Sequence, residues 1–262
     1  MAFSKQWLAL REQSDHAARD AQLLTKAVEA AGENPVIVDL GSGTGSTVRA
    51  LEPFLPEGAE WRLVDNDDSL LEVAGAELGD RASLHRLDIS DLEKLPLENA
   101  TLVTASALID LVSRQWLENF VEKVQVPVYF ALSYDGVMNW MPENSLDNSI
   151  TQAFNNHQRS DKGFGSALGP DSVSVAEEVF KSAGFDVFTA PSPWQLGPAE
   201  EELQQALVQG IAEAALETGQ QDAVFWAEIR TSQARETDCT IGHGDILALP
   251  KDFELGAQHA KT

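Results

Sequence analysis

The sequence predicts a single α/β domain built around a doubly wound, mostly parallel sheet. Short apolar runs alternate with helical patterns in the first half of the chain, and closely spaced glycines follow the first run at residues 41–45. Strands that alternate with helices are typical of right-handed βαβ units, whose helices cover both faces of a sheet. With 262 residues, the chain is long enough to bury a sizeable core in one domain.

The first elements are helical, and strands follow. An apolar stretch around Trp7 indicates a short helix. Residues 14–31 space small apolar residues three and four apart, which is one face of a second helix that ends at Gly32. Continuous apolar runs then predict five strands buried on both faces, with helices after the first, second and fourth. These runs cover residues 36–38, 61–64, 84–87, 101–105 and 126–132.

The second half of the chain is less regular. Residues 137–170 are rich in Asn, Asp, Ser and Gly and have no sustained strand pattern, which indicates an insertion or lid. After it the pattern predicts three more helices and two more strands. The helices are expected around residues 173–183, from Pro198 and from Ala223, and the strands at 185–188 and from Cys239 onwards.

Composition constrains the location and the partners of the protein. The chain has 42 acidic residues against 18 Lys and Arg, and its formal charge of −24 disfavours RNA or DNA as a substrate. No apolar run approaches the roughly 20 residues that a membrane helix needs, and no signal-peptide pattern is present. Cys239 is the single cysteine, so no internal disulfide is expected. We expect a cytoplasmic protein without nucleic-acid or membrane partners; its oligomeric state stays open.

The glycine cluster joins the first strand to a helix. Gly41-Ser42-Gly43-Thr44-Gly45 lets the backbone turn sharply and lets a ligand approach without a Cβ in the way. A dinucleotide fingerprint needs its third glycine at position 46, where this chain has a serine, and no P-loop pattern is present. A tight turn alone would explain the glycines, but their place after the first strand favours a nucleotide-like ligand.

Carboxylates lie at the ends of three successive predicted strands: Asp39, Asp65 and Asp88. Asp65, twenty positions after Gly45, can accept hydrogen bonds from both hydroxyls of a ribose. Asp88 can accept from an adenine amino group while the neighbouring Ile89 covers the ring. Each acid alone is more often a loop or cap residue. Together they favour a ligand site, because open α/β sheets bind ligands along this edge.

These ordered motifs, at residues 36–45, 63–65 and 87–89, resemble the class I S-adenosylmethionine-dependent methyltransferase family over about residues 30–135. The resemblance implies a Rossmann-like sheet of seven strands, with an antiparallel last strand inserted beside the fifth. It also implies S-adenosylmethionine as cofactor, S-adenosylhomocysteine as product and a small molecule as methyl acceptor. Two positions depart from the family pattern: Asn66, where relatives commonly have an apolar residue, and Asp110, where many small-molecule members have a histidine.

The resemblance also divides the chain into segments. The expected parts are N-terminal helices at 1–33, a cofactor-binding half at 34–136, the lid at 137–170, the C-terminal half of the sheet with inserted helices at 171–250, and a tail at 251–262. It assigns the methionine part of the cofactor to Asp39 and the glycine loop, the ribose to Asp65 and the adenine to Asp88. Ser106 would lie beside the sulfonium, and Arg11 would pair with the cofactor carboxylate. The expected cofactor-binding residues are Arg11, Asp39, Gly41, Ser42, Gly43, Gly45, Asp65, Asn66, Asp88, Ile89 and Ser106.

Candidates for a general base lie after the fourth and fifth strands and in the insertion. Methyl transfer needs a base only if the nucleophile arrives protonated. Asp110, Tyr134 and His157 are the candidate catalytic residues, although Asp110 is equally suited to cap a helix and Tyr134 to precede a turn.

The insertion also carries the candidate substrate contacts. Residues 154–165 bring a histidine and two cations together beside aromatic residues and glycines, as a lid over a small polar or anionic substrate would. The two cations would otherwise pair with local carboxylates, and large aromatic residues often simply pack in the core. The expected substrate-binding residues are Trp140, His157, Arg159 and Lys162.

Two rival functions stay open. A nucleotide-dependent oxidoreductase is disfavoured by Ser46, and a non-catalytic adenosyl-ligand-binding protein is disfavoured by the cation-bearing insertion. His243 lies between two glycines without a second ligand at suitable spacing, so we expect it to be structural and expect no metal. The sequence does not determine whether the methyl acceptor is oxygen, nitrogen, sulfur or carbon.

Overall fold

The computed structural model describes residues 4–255; residues 1–3 and 256–262, which include most of the predicted tail, lie outside this range. The strands are β1 (Val36–Leu40), β2 (Glu60–Asp65), β3 (Ala82–Arg86), β4 (Leu102–Ser106), β5 (Val128–Met141), β6 (Asp186–Pro191), β7 (Trp194–Leu196) and β8 (Asp238–Leu249). The helices are α1 (Lys5–Ala18), α2 (Ala21–Ala31), α3 (Ser46–Leu51), α4 (Asp68–Leu78), α5 (Arg114–Lys123), α6 (Asp147–Gln158), α7 (Ser172–Ser182), α8 (Glu201–Glu217) and α9 (Ala223–Gln233).

The strands form one sheet in the order β3-β2-β1-β4-β5-β8-β6. The first five are mutually parallel, and β8 runs antiparallel to both β5 and β6. This confirms the predicted antiparallel last strand beside the fifth. The strand count is corrected from seven to eight, because residues 194–196 form β7 against the outer part of β8. A three-residue strand is too short to give a detectable periodicity.

Helices cover both faces of the sheet, as the apolar strands require. Successive residues of β1 illustrate this: Ile37 packs with α2, α3 and α4, whereas Val38 packs with α5 and α7 on the opposite face. Both side chains are fully buried, which explains why the strand is apolar throughout rather than alternating. Among the described helices, none is long and apolar enough to cross a membrane.

The strand β5 continues far beyond its predicted end at residue 132. Residues 137–141 alternate between exposed and buried, and the buried ones, Met138 and Trp140, pair with β8 and pack against α6, α8 and α9. Asn139 between them is exposed, so the polar composition concealed a period-two strand. Part of the predicted lid is thus a packed layer on the sheet, and the wider division into segments stays a prediction.

The break between the first two helices lies at residues 19–20 rather than before residue 14. Asp20 caps α2, since its carboxylate accepts a hydrogen bond from the backbone N–H of Leu23 at 2.8 Å. Apolar spacing continues across this break, so the pattern predicted one helix. In the structure Ala17 and Ala21, on either side of the break, are exposed, and the buried residues of α1 are Arg11 and Asp15. The cap was the signal that could have separated the two helices.

One buried carboxylate connects the break between α1 and α2 to the sheet by hydrogen bonds. Asp245 of β8 is fully buried and accepts three hydrogen bonds, from the Tyr129 hydroxyl at 2.9 Å, the Leu132 backbone N–H at 2.9 Å and the Asp20 backbone N–H at 3.0 Å. Leu132 has a φ of 58° and lies where the pairing of β5 with β8 shifts register. Asp245 therefore satisfies a backbone N–H that the ladder cannot pair at this irregularity.

Replacing Asp245 by Ala is expected to lower the free energy of unfolding by about 3 kcal/mol, because it leaves buried N–H and O–H donors without partners. Urea unfolding followed by circular dichroism measures the change. The matched control is Asp238→Ala on the same strand, whose side chain is exposed and which should cost little. Equal stabilities of the two variants would contradict the anchoring role of Asp245.

Candidate active site

A cavity of about 390 Å³ opens at the carboxyl ends of β1, β2 and β4. Its volume falls within the usual range for small-molecule sites, and its position follows the rule for open α/β sheets. Its wall combines the glycine loop, the residues after β2 and β3, the end of β4, one face of α1 and the loop after α6. The lining residues include Leu8, Arg11, Gly41, Ser42, Gly43, Asp65, Asn66, Ile89, Ser106, Lys162 and Phe164.

The glycine loop forms one side of the cavity in a conformation that requires glycine. Gly41, Gly43 and Gly45 have φ values of 62°, 53° and 86°, in the left-handed region. A Cβ on Gly43 would lie 3.3 Å from the Leu8 side chain of α1, so the helix packs closely over the loop. The backbone N–H of Gly43 donates to Asp65 Oδ2 at 2.8 Å, which ties the loop to the end of β2.

Two buried groups of opposite charge lie beneath the loop. Asp39 Oδ1 accepts from Thr104 at 2.8 Å, while Asp39 Oδ2 has no hydrogen-bond partner within residues 4–255. Burial raises the pKa of Asp39 to about 7, although Thr104 and Arg19 act in the opposite direction. Arg19 donates from Nη2 to Ser106 at 2.8 Å, and its buried Nε and Nη1 likewise have no partner in the described chain. Ser106 in turn contacts Thr47 Oγ1 at 3.1 Å, and both line the cavity.

The predicted adenosine-binding residues are only partly brought together. Asp65 and Asn66 line the cavity after β2, and Ile89 lines it after β3. Asp88 is exposed, accepts from the Ser90 backbone N–H at 2.9 Å and is not among the lining residues. The strand β3 ends two residues earlier than Asp88, so this carboxylate turns with the loop and caps it locally.

Arg11, which the sequence predicts to pair with the carboxylate of the cofactor, is already paired with a carboxylate of the protein. Arg11 lines the cavity, but its Nε and Nη2 donate to Asp15 at 2.8 and 3.1 Å, one helical turn further along α1. The guanidinium lies 5.0 Å from the ring centre of Trp194 and 5.9 Å from that of Trp7. Both ends of this ion pair are therefore held, because Trp194 Nε1 also donates to Asp15 at 3.0 Å.

Two of the candidate bases are deeply buried. Asp110 has no hydrogen-bond partner at Oδ1 within residues 4–255, and burial raises the pKa of its carboxyl to about 6, with Arg11 and Lys162 lowering it in part. The Tyr134 hydroxyl donates to Asn155 Oδ1 at 2.7 Å. Burial, with the charges of Asp135 and Asp110, raises the pKa of Tyr134 far above its usual value. Tyr134 is thus a neutral hydrogen-bonding group at physiological pH.

The third candidate, His157, lies behind Lys162. His157 Nε2 lies 2.9 Å from Glu217 Oε2, and Nδ1 lies 3.3 Å from Lys162 Nζ. A ring that donates from Nε2 and accepts at Nδ1 satisfies both contacts. Lys162 also donates to the His157 backbone carbonyl at 3.1 Å, and burial lowers the pKa of its ammonium. Lys162 lines the cavity and His157 does not, so His157 contributes to the cavity only by holding the Lys162 side chain.

Two predicted substrate contacts lie away from the cavity. Trp140 packs edge-on to Trp226 at 5.6 Å and against the Arg230 guanidinium in the core beneath α9. Arg159 pairs with Asp171 at 3.0 Å, on the exposed surface. Both predictions fail for a reason that the sequence analysis gave as the alternative. Trp140 is a large aromatic residue that packs in the core, and Arg159 is a surface cation that pairs with a nearby acid.

Sequence reasoning missed Thr47, which lines the cavity, and the buried residues Arg19 and Thr104, which bond to Ser106 and Asp39. The predicted cofactor-binding residues Asp39 and Gly45 are not among the lining residues. The only local signal for the missed residues was the helix break beside Arg19, because Asp20 caps α2 and leaves the arginine in the connection. His243 is buried, and burial lowers its pKa to about 3, so its ring is neutral. No cluster of three or more His, Cys, Asp or Glu side chains suited to a metal ion occurs within residues 4–255.

No family profile and no curated protein matches the sequence. Solved structures do share its fold. The YcgJ protein from Bacillus subtilis aligns with 14% identity and a TM-score of 0.50, over 89% of this chain and 100% of that one. Mycolic acid cyclopropane synthase CmaA1, solved in complex with SAH and CTAB, aligns with 10% identity and a TM-score of 0.50, over 87% and 83%. At these identities the similarity concerns the fold, and it confirms the Rossmann-like methyltransferase fold that the resemblance implies.

The raised pKa of Asp39 predicts a pH-dependent cost in stability. Below the unfolded-state pKa of 3.8 both states are protonated, and stability is lost as the pH rises towards the folded-state pKa of about 7. We expect Asp39→Asn to raise the free energy of unfolding at pH 8 by about 2 kcal/mol, with the gain vanishing near pH 4. Urea unfolding at several pH values measures this. The control Asp186→Asn, at an exposed site, should have the same free energy of unfolding as the wild type at every pH. If the free energy of unfolding depends on pH in the same way in all three proteins, the buried charge of Asp39 has no cost and the prediction is wrong.

Proposed function

We propose that this protein is an S-adenosylmethionine-dependent methyltransferase of small polar or anionic molecules, acting in the cytoplasm. One observation carries the proposal: residues 41–43 of the glycine loop, Asp65, Ile89 and Ser106, predicted as cofactor-binding from separate strand ends, line a single cavity. The shared fold with CmaA1, whose structure contains SAH, supports the same ligand class.

The buried charges of Arg19 and Asp39 fit the amino-acid part of this cofactor. A zwitterion carries one carboxylate and one ammonium. Neither Arg19 nor Asp39 lines the cavity itself, but each lies next to a lining residue, Ser106 and Thr47 respectively. Arg19 has unused buried N–H groups for the first charge, and Asp39 has an unused buried oxygen for the second. Buried polar atoms normally have hydrogen-bond partners. A ligand that carries both a carboxylate and an ammonium would therefore pair with the free N–H groups of Arg19 and with the free oxygen of Asp39. Arg19 thereby takes the role predicted for Arg11, whose guanidinium is already paired with Asp15.

The other end of the cavity fits an adenosine. Asp65 would accept from the ribose hydroxyls, as its position after β2 predicts, although one of its oxygens also holds the Gly43 N–H. Leu70, Leu87 and Ile89 supply apolar walls for the base. Asn66, where the family commonly has an apolar residue, contributes an amide there, and Asp88 would need to turn inward to reach the amino group.

The protein residues would position the reacting groups, exclude water from them and accept a proton from the methyl acceptor. When bound, the cofactor supplies a methyl group activated by a positive sulfur. Ser106, beside the carboxyl end of β4, and the close packing of α1 over the loop would hold and dehydrate the reacting centre. Asp110 is the base that the geometry favours, because its carboxyl has a free oxygen and a pKa near 6, matched to proton transfer at neutral pH.

Lys162 supports a polar or anionic substrate. Its Nζ is the cation from the insertion that reaches the cavity wall, where Phe164 lies beside it. Hydrogen bonds to the His157 carbonyl and to Ser160 fix its position. In a chain of net charge −24, a cation held at a cavity is informative about the ligand.

Calorimetry with S-adenosylhomocysteine and with NAD tests the proposal against the oxidoreductase alternative. We expect the first to bind and the second not to bind. Asp65→Ala should weaken S-adenosylhomocysteine binding by about 1–3 kcal/mol through loss of the ribose hydrogen bonds. The control Asp68→Ala, on the exposed first turn of α4, should bind like the wild type. Absence of S-adenosylhomocysteine binding by the wild type would refute the proposed function.

A second experiment separates the two arginines. Arg19→Lys is expected to weaken S-adenosylhomocysteine binding by about 1–3 kcal/mol, because a point charge cannot reproduce the donor fork towards a carboxylate. Binding of 5′-methylthioadenosine, which lacks the amino-acid part, should stay unchanged and thereby report on folding. The same loss for both ligands would assign Arg19 a purely structural role.

A further inference from the structure

We propose that the insertion after β5 is part of the cofactor site, and that Phe164 within it packs its ring against the adenine of the cofactor. This contact rests on the proposed function and deepens it. It gives a cofactor-binding role to a residue that the sequence analysis placed in a lid over the methyl acceptor, without a role of its own.

Phe164 is the aromatic residue of the cavity. Among the lining residues within 4–255, no other side chain is aromatic. The ring packs against the core on one side but is only partly buried. A partly exposed ring in a cavity wall offers a flat apolar face to a ligand. Adenine has such a face too, and bases commonly stack on aromatic side chains in proteins.

The contacts of Phe164 place it at the adenine end of the cavity. Its ring lies edge-on to that of Trp116 in α5, with 6.2 Å between the ring centres. Trp116 Nε1 donates a hydrogen bond to the backbone carbonyl of Ile89 at 2.8 Å. Ile89 lines the same cavity after β3, where the base fits. Because Trp116 contacts both residues, Phe164 and Ile89 belong to the same end of the cavity.

The loop around Phe164 holds the ring in place. Gly163 and Gly165 flank it with φ values of 106° and 87°, in the left-handed region that favours glycine. Asp161 Oδ1 accepts hydrogen bonds from the backbone N–H groups of both glycines, at 2.7 and 3.0 Å. Asp161 also forms an antiparallel bridge with Ser166. One carboxylate and one bridge therefore close the loop, and Phe164 lies at its tip without needing a ligand to order it.

The end of the loop is attached to the wall of the cavity. The backbone N–H of Leu168 donates to the Val112 carbonyl at 2.8 Å, and that of Gly169 donates to the Asp110 carbonyl at 2.8 Å. Leu111, between these two acceptors, lines the cavity. The insertion is therefore joined to the segment after β4, which is part of the cofactor site.

A contact with the face of the base answers a gap in the site. Asp88, which the sequence assigned to the adenine, is exposed and accepts from the Ser90 backbone N–H. The other apolar walls at this end, Leu87 and Ile89, are aliphatic. An aromatic ring binds the plane of the base and holds it whether or not a carboxylate reaches its amino group.

Calorimetry on the full-length protein tests the contact with S-adenosylhomocysteine and with 5′-methylthioadenosine. Phe164→Ala should weaken the binding of both about tenfold and by the same factor, because both ligands contain the base. Phe164→Tyr keeps the ring and should bind both like the wild type. The control Phe188→Ala, at a partly exposed phenylalanine on the outer strand β6, should also bind like the wild type.

A nuclear magnetic resonance experiment reports on the ring itself. In S-adenosylhomocysteine labelled with carbon-13 in the adenine, the H2 and H8 protons should move upfield on binding, since they enter the ring current of Phe164. The shift should persist in Phe164→Tyr and disappear in Phe164→Ala at saturating ligand. A residue that only supports the loop would change the affinity and leave this shift in place.

Three results would each overturn the contact: equal affinities of the wild type and Phe164→Ala, a loss confined to S-adenosylhomocysteine, or an upfield shift that survives in Phe164→Ala. Absence of S-adenosylhomocysteine binding by the wild type would instead refute the proposed function itself. The two failures are therefore distinguishable.

Discussion

The buried carboxylate of Asp245 is the constraint on which the rest of the site depends. It is fully buried in the antiparallel strand β8 and satisfies donors from β5 and from the connection between α1 and α2. A parallel fifth strand and an antiparallel eighth strand meet here, and the shift in their register leaves a backbone N–H that only a side chain can pair. Because Asp20 is held by Asp245, its neighbour Arg19 is fixed beside Ser106 at the end of β4, and α1 is directed across the cavity. The insertion of β8 beside β5 therefore also positions residues around the candidate site.

The main sheet was predictable because its signals are local. Residues 36–38 are apolar on both faces, and glycines at 41, 43 and 45 adopt the backbone angles for which glycine is suited. The long part of β5 was not predictable, because Asn139 and Met141 face solvent and only two alternating residues face the core that α8 and α9 complete. Such a core is assembled from residues far apart in the chain, and no single window of sequence contains it.

The same difference separates the predictable and unpredictable parts of the site. Asp65 and Ser106 are the last residues of β2 and β4, so counting along the chain placed both at the edge of the sheet where they line the cavity. Arg19 owes its position to a helix break and to a carboxylate 226 residues further along the sequence, and nothing in its neighbourhood marks it as a site residue. Trp140 has the composition expected of a pocket but belongs to a core that the sequence pattern did not reveal. Residue type alone therefore misleads where tertiary packing decides exposure.

The placement of positive charge distinguishes a site from a solvated surface in this acidic chain. Within residues 4–255 the buried arginines are Arg11, Arg19 and Arg230. Arg11 and Arg230 each have a hydrogen-bonded carboxylate, Asp15 and Asp147, and so resemble ordinary buried ion pairs. Arg19 donates to the Ser106 hydroxyl and also acts on the Tyr129 hydroxyl and on the Asp39 carboxyl, but no carboxylate within residues 4–255 forms an ion pair with it. A buried cation without a bonded anion is costly, and an anion supplied by a ligand would lower that cost. The neighbouring Asp39, itself held near neutrality by burial, cannot be a full ionic partner. An anion that enters with a ligand can, and the burial and bonding of Arg19 favour such a ligand independently of any resemblance in sequence or fold.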